Sequence, residues 1–173
     1  IVIGPIAVTL LSDPRDGIAT VSLATLGDTE LAIATYGIMP LPPYFHGDLV
    51  DPDRYQTMFA TTVGSSAAPT AALHFTPALM AELEAMGVEI ARVDLEVGLD
   101  TFRPMDRGAN GTRTVEDHQI HTEHVSVPPE TVRAVALARA RGHRVVAVGT
   151  TVVRSLESAA TTEGLVAPFA GPT

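Results

Sequence analysis

The 173-residue sequence predicts an α/β fold, a mixed and partly parallel sheet with flanking helices. Three observations carry that expectation. From Thr76 onward the segments run helix–strand and then helix–strand–helix, the order of units that share a sheet. Two of the helix starts carry a proline in the first turn, Pro77 and Pro129, where a missing N–H leaves no bond unmade. Between the second and third helices, RVVAV (residues 144–148) is a nearly continuous apolar run, the pattern of a strand buried on both faces.

The elements follow in order. Residues 2–11 and 18–36 read as short β-rich segments, with DPRDG (13–17) and Gly27-Asp28 as turns. MPLPPYFHG (39–47) has three prolines in four positions; proline fixes φ and lacks a donor, so this is an extended connector. It is either a linker or a shaped substrate wall. After DPDRYQTMFA (51–60) and a loop of small residues, Thr76 is placed to cap a helix whose Leu79, Leu83 and Met86 recur at helical spacing, with Gly87 as its stop. VEIARVDLEV (88–97) then reads as a strand ending at Gly98, RGANGT (107–112) as a glycine-rich excursion, and HQIHTEHVSV (118–127) as extended chain. Pro128-Pro129 opens the second helix, which closes at Gly142, and Gly149-Thr150-Thr151 leads into the third, Val152 to Ala160.

Composition narrows the chemistry. With no cysteine, disulfides, thiolate metal sites and cysteine nucleophiles are excluded, which fits a cytoplasmic protein. All 11 basic residues are arginine, so a Schiff-base lysine and a P-loop lysine are excluded as well. Neither GxGxxG nor GxxxxGK[ST] occurs, and a dinucleotide or P-loop nucleotide fold has no support. The net charge of −9 is uneven: residues 1–100 carry three Arg against 13 acids, and residues 101–173 eight Arg against seven. A surface for a polyanion must therefore lie in the second half or be missing, and taken alone the charge argues against a polyanion partner. The chain starts at Ile1 and stops after GLVAPFAGPT without a closing element, and is expected to be a fragment of something longer.

Three places could carry chemistry. In APTAALHFT (68–76), His74 follows small residues just before a helix start, and is either a packed core histidine or part of a binding loop. Gly149-Thr150-Thr151 lies where, in open α/β sheets, helix N–H groups and the positive dipole end face a ligand, with Arg154 one turn in. Plain helix capping by threonine explains the same residues, and Arg154 with Glu157 could be a surface ion pair of about 0.2–0.5 kcal/mol. DHQIHTEH (117–124) gathers His118, His121, Glu123 and His124. On a strand, His121 and Glu123 share one face while His118 and His124 take the other. HExxH is absent. A metal site, an exposed polar strand and an acid/base or substrate-binding pair of His121 with Glu123 all stay open.

PLPPY (40–44), RYQT (54–57), APTAALHFT, GVEIARVDLEVGLDTFRP (87–104), HQIHTEH (118–124) and ARGHRVVAVGTTVVRSLESAA (140–160) occur in one order. Over about residues 38 to 168 that ordered set resembles the S-adenosylmethionine:tRNA ribosyltransferase-isomerase family of queuosine biosynthesis. The resemblance implies that S-adenosylmethionine is a ribosyl donor. Its ribosyl unit moves, with isomerisation, onto the aminomethyl group of a 7-deazaguanine at the tRNA wobble position. Epoxyqueuosine-tRNA forms, and adenine and methionine leave. S-adenosylmethionine and tRNA are the implied partners, with no further cofactor, metal or membrane, for a cytoplasmic monomer. The implied fold is an α/β domain with a β-barrel-like domain inserted. Residues 1–37 would be the tail of the barrel, and residues 38–173 an α/β domain incomplete at its C-terminal end.

Such a reaction needs a base for the proton beside the sulfonium, a donor to the departing adenine, and contacts holding the amine near the sugar. By the resemblance, His74, His121 and Glu123 are the catalytic candidates. Tyr44, Tyr55, Gln56, Thr70, Gly98, Thr101, Phe102, Gly149, Thr150, Thr151 and Arg154 are the implied substrate contacts. The chain departs from the family pattern at Glu96 (His expected), Leu99-Asp100 (Ala-Gly), Ala72 (Gly), Gln119 (His) and Val152 (Ser). Those departures define a second reading, a non-catalytic or repurposed paralogue binding a nucleoside-like ligand without ribosyl transfer.

Overall fold

A computed structural model describes residues 2–15, 18–38, 40–42, 45–47, 49–98, 101 and 123–173. The chain divides into two units, residues 1–39 and 40–173. In the first, β1 (Val2–Ile3), β2 (Ile6–Leu10) and β3 (Val21–Ala24) pair antiparallel in that order. Gly4, at φ +57°, makes the turn between β1 and β2. A Cβ there would lie 2.8 Å from Tyr36 Cδ1, so only glycine lets the backbone pass the ring. The β-rich reading of residues 18–36 is right only for its first part. TELAIATY forms α1 (Thr29–Tyr36), started by the Asp28 carboxylate, which accepts the Leu31 N–H at 2.9 Å. A capped run with two alanines, Leu and Glu is a good helix former, and the cap outweighs the apolar pattern. Among the described residues this unit is an open three-stranded sheet with a helix; closure into a barrel is not seen in them.

The second unit contains two 3₁₀ turns, Pro52–Tyr55 and Thr70–His74, then α2 (Pro77–Ala85), β4 (Asp94–Glu96), β5 (His124–Val127), α3 (Pro129–Ala140), α4 (Thr150–Ser158) and β6 (Phe169–Pro172). Helices α2 and α3 begin at the prolines that announce them, and Thr76 Oγ1 accepts the Leu79 N–H at 3.2 Å. Strands β4, β5 and β6 form a sheet in that order, and both ladders are antiparallel, with Leu95 opposite Val125 and Val125 opposite Gly171.

The expected partly parallel pairing is therefore not seen among the described residues. RVVAV is not a strand: it has no ladder partner among the described residues, and Val146 is 74% exposed. An apolar run supplies surface to bury but does not supply a neighbour to bond. The helices on either side of it, α3 and α4, both pack on one face of the β4–β5–β6 sheet, through Val132 and Ala159. The strand expected over residues 88–97 shrinks to three residues, its approach taken up elsewhere. The Arg92 carbonyl, two residues before β4, accepts the Thr131 hydroxyl at 2.5 Å.

The core of this unit is Val125, Val127 and Ala159, with Val93, Leu95, Val132, Val166 and Phe169 around them. Alternation along β5 turns Val125 and Val127 inward and His124 and Ser126 outward. Val127 is 1% exposed, so Val127→Ala should lower the unfolding free energy by about 2 kcal/mol. A denaturant titration would read this as a lower midpoint at constant slope.

Candidate functional site

Helix α4 is the element on which the site is built. It packs against β5 and β4. One turn in, Arg154 donates through Nη1 to Glu123 Oε2 at 2.5 Å and through Nη2 to the Thr173 carbonyl at 2.8 Å. The other carboxylate oxygen of Glu123, Oε1, accepts the Gly98 N–H at 3.0 Å. The Glu123 backbone also exchanges both hydrogen bonds with Thr173, at 2.9 and 3.3 Å. Glu123 continues the inward phase of β5 and is 8% exposed. A carboxylate so buried is strongly disfavoured unless paired and hydrogen-bonded, and here both oxygens are engaged. The result ties the end of β4, the start of β5 and the end of β6 to one guanidinium. Arg154 turns to Glu123, and the helix-surface pair with Glu157 that its spacing allowed is not formed.

The start of α4 meets a second motif. Gly149 holds φ +89° and ψ 157°, a region open essentially only to glycine, and a Cβ on it would sit 3.2 Å from the Ala71 Cβ. The 3₁₀ turn Thr70–His74 therefore abuts the first turn of α4. Side chains three apart eclipse in a 3₁₀ helix, so His74 shares an edge with Ala71. His74 is exposed, which removes the packed-histidine alternative. Capping by threonine is not formed either. Gly149 occupies the cap position, no side chain caps the helix, and Thr150 and Thr151 are its first two residues. Gly149→Ala should cost roughly 1–3 kcal/mol of backbone strain and push the Ala71 turn away. A thermal melt would register the loss as a lower midpoint.

The other sequence-predicted residues fall in different places. Tyr55 is buried, and its 3₁₀ turn contacts the turn carrying His74, so it supports that turn from within. Gln56 is exposed, and its Oε1 accepts the Thr57 N–H at 3.0 Å. Thr70 and Thr101 are exposed. Tyr44, Phe102, His118 and His121 lie outside the described residues, as do Leu99 and Asp100. Glu96 is exposed, opposite His124 across the ladder, on the face turned away from Leu95 and the core beneath α4. This departure from the family pattern is thus not part of the Glu123–Arg154 cluster.

Sequence reasoning missed three contributors. Ser65 closes the free edge of β4, its hydroxyl donating to the Leu95 carbonyl at 3.1 Å and accepting the Val97 N–H at 3.0 Å. Phe59 and Phe75 pack edge to face at 6.2 Å, and the Arg92 guanidinium lies 5.5 Å from the Phe59 centroid, anchoring the segment just after His74. Thr173 acts through its backbone and carries no sequence signal at all.

Comparison with known proteins shows the family. The model of the family described as "Queuosine biosynthesis protein" matches residues 2–173. The chain is 45% identical over 162 residues to the S-adenosylmethionine:tRNA ribosyltransferase-isomerase of Natranaerobius thermophilus, covering 94% of this chain and 46% of the relative. It is 50% identical over 140 residues to the protein of that name from Moorella thermoacetica, covering 81% and 40%. Against the same-named protein of Bradyrhizobium sp. it is 45% identical over 176 residues, covering 99% and 47%. The chain spans less than half the length of these curated relatives.

Proposed function

Because the chain belongs to the queuosine biosynthesis protein family, we propose that, within the full-length protein, it takes part in ribosyl transfer from S-adenosylmethionine to tRNA. The acceptor is the aminomethyl group of 7-aminomethyl-7-deazaguanine, and the ribosyl unit isomerises as it moves. The products are epoxyqueuosine-tRNA, adenine and methionine. The supporting observation is convergence on α4: APTAALHFT through Ala71, LEVG through Gly98, TEH through Glu123 and GTTVVR through Gly149 and Arg154.

The roles follow from surroundings. The sulfonium acidifies the neighbouring ribose C–H, and a base must take that proton as the sugar rearranges. We assign that proton transfer to His74, exposed on the edge that abuts α4, with His121 as the second candidate. Glu123 has both oxygens occupied, so its part is positioning: it holds Gly98 and Arg154 in register. The uncapped first turn of α4, with the Thr150 and Thr151 hydroxyls, suits the carboxylate of S-adenosylmethionine. Gln56, Thr70, Thr101, Tyr44 and Phe102 remain substrate contacts in this proposal, with Tyr55 supporting the turn that carries Thr70 from the interior. No metal or further cofactor is called for. Full-length protein given S-adenosylmethionine and precursor tRNA should release free adenine in step with modified nucleoside. Folded protein that releases none above a no-enzyme control overturns the proposal.

A further inference from the structure

Residues 131–156 contain five arginines, one histidine and no acid, in a chain whose net charge is −9. Most of this charge lies on α3 and the turn after it. Arg133, Arg141 and Arg144 are exposed, and none donates to another group among the described residues. Arg139 differs, since its Nη1 donates to the Gly164 carbonyl at 2.8 Å. Arg133, the half-exposed Leu137 and Arg141 follow one another four residues apart on one side of the helix. The two arginines are about 12 Å apart along the axis, far enough to reach separate phosphates. Gly142, at φ +71°, then turns the chain and presents Arg144 just beyond.

A bland account is that cations gather at a helix C-terminus to complement its dipole. It serves for Arg139 and Arg141. It does not serve for Arg133, in the first half of α3, or for Arg144, outside the helix. Glu130, the one acid of α3, sits in the first turn, away from Arg141 and Arg144.

Resting on the proposed tRNA reaction, we infer that Arg133 and Arg141, on one side of α3 and its C-cap, together with Arg144 just beyond, dock the sugar–phosphate backbone of the tRNA. Guanidinium groups suit this partner, because the planar fork meets phosphate oxygens two at a time. The rest of this chain is acidic and repels the same polyanion, so a local basic face steers as well as binds.

The test uses the full-length protein, precursor tRNA, and the triple variant Arg133→Gln, Arg141→Gln, Arg144→Gln. Each phosphate contact adds roughly 0.7–0.9 to the slope of log K against log salt, so the variant's slope should fall by about two to three. Its KM for tRNA should rise at least about tenfold, with kcat at saturating tRNA unchanged and an unaltered melting curve. Wild-type turnover together with an unchanged slope and KM overturns the docking face and leaves the proposed activity standing. Wild-type protein that neither binds nor modifies tRNA removes both. Loss of kcat alone, with the slope intact, also overturns the inference.

Discussion

Glu123→Ala should lower the unfolding free energy by about 3 kcal/mol and abolish adenine release by the full-length protein. The change removes the anion that Arg154 faces at 2.5 Å and the acceptor of the Gly98 N–H, leaving a part-buried cation and a donor unpaired together. The upper end of the range for buried pairs is not expected, because the Arg154 side chain keeps 29% exposure and water can reach it. Glu123→Gln retains a neutral acceptor for Gly98 and should lose about half as much. Arg154→Lys keeps the charge but cannot serve Glu123 and the Thr173 carbonyl at once, and should resemble Arg154→Gln in activity. Reversing the pair, Glu123→Arg with Arg154→Glu, should not rescue. The surrounding backbone groups have fixed polarity: a Gly98 donor would meet an arginine and a Thr173 acceptor a glutamate. If the reversed pair restores stability and turnover, the cluster is a simple charge pair and not the scaffold described.

His74→Ala should do the opposite, leaving stability within about 0.5 kcal/mol because the side chain is exposed. A residue that moves a proton in the transition state supplies roughly 10²–10⁴ in rate, and kcat should fall by that amount. The KM for S-adenosylmethionine should change far less. A rise in KM with kcat preserved would make His74 a binding contact; equal losses of stability and rate would return it to the structural role its exposure argues against.

What the sequence disclosed, and what it withheld, follow one physical division. Helix starts were legible because capping and proline chemistry are local, as at Thr76-Pro77 and Pro128-Pro129. That Glu123 and His124 take opposite faces was legible too, because strand alternation has period two, but not which of the two faces is buried. Pairing direction was not: β5 bonds β4 and β6, partners about 30 and 45 residues away, and nothing in VSV or RVVAV says which strand will neighbour it. α1 was misread since an apolar octapeptide looks alike in either state until its Asp28 cap is weighed. At the site, motif order named segments that the fold brings near one another, yet the partner of Arg154 was out of reach: Glu157 is three residues away, Glu123 is 31, and only the fold brings the second near.

The central claim is that the ribose of S-adenosylmethionine, and not its methyl group, ends on the tRNA. The direct measurement follows two isotopic labels, one in the ribose and one in the S-methyl, through a reaction of the full-length protein with precursor tRNA. The ribose label should appear in the RNA, one for each adenine released, while the methyl label leaves with methionine. Methyl label in the RNA, or release of adenine with neither label transferred, would contradict the account.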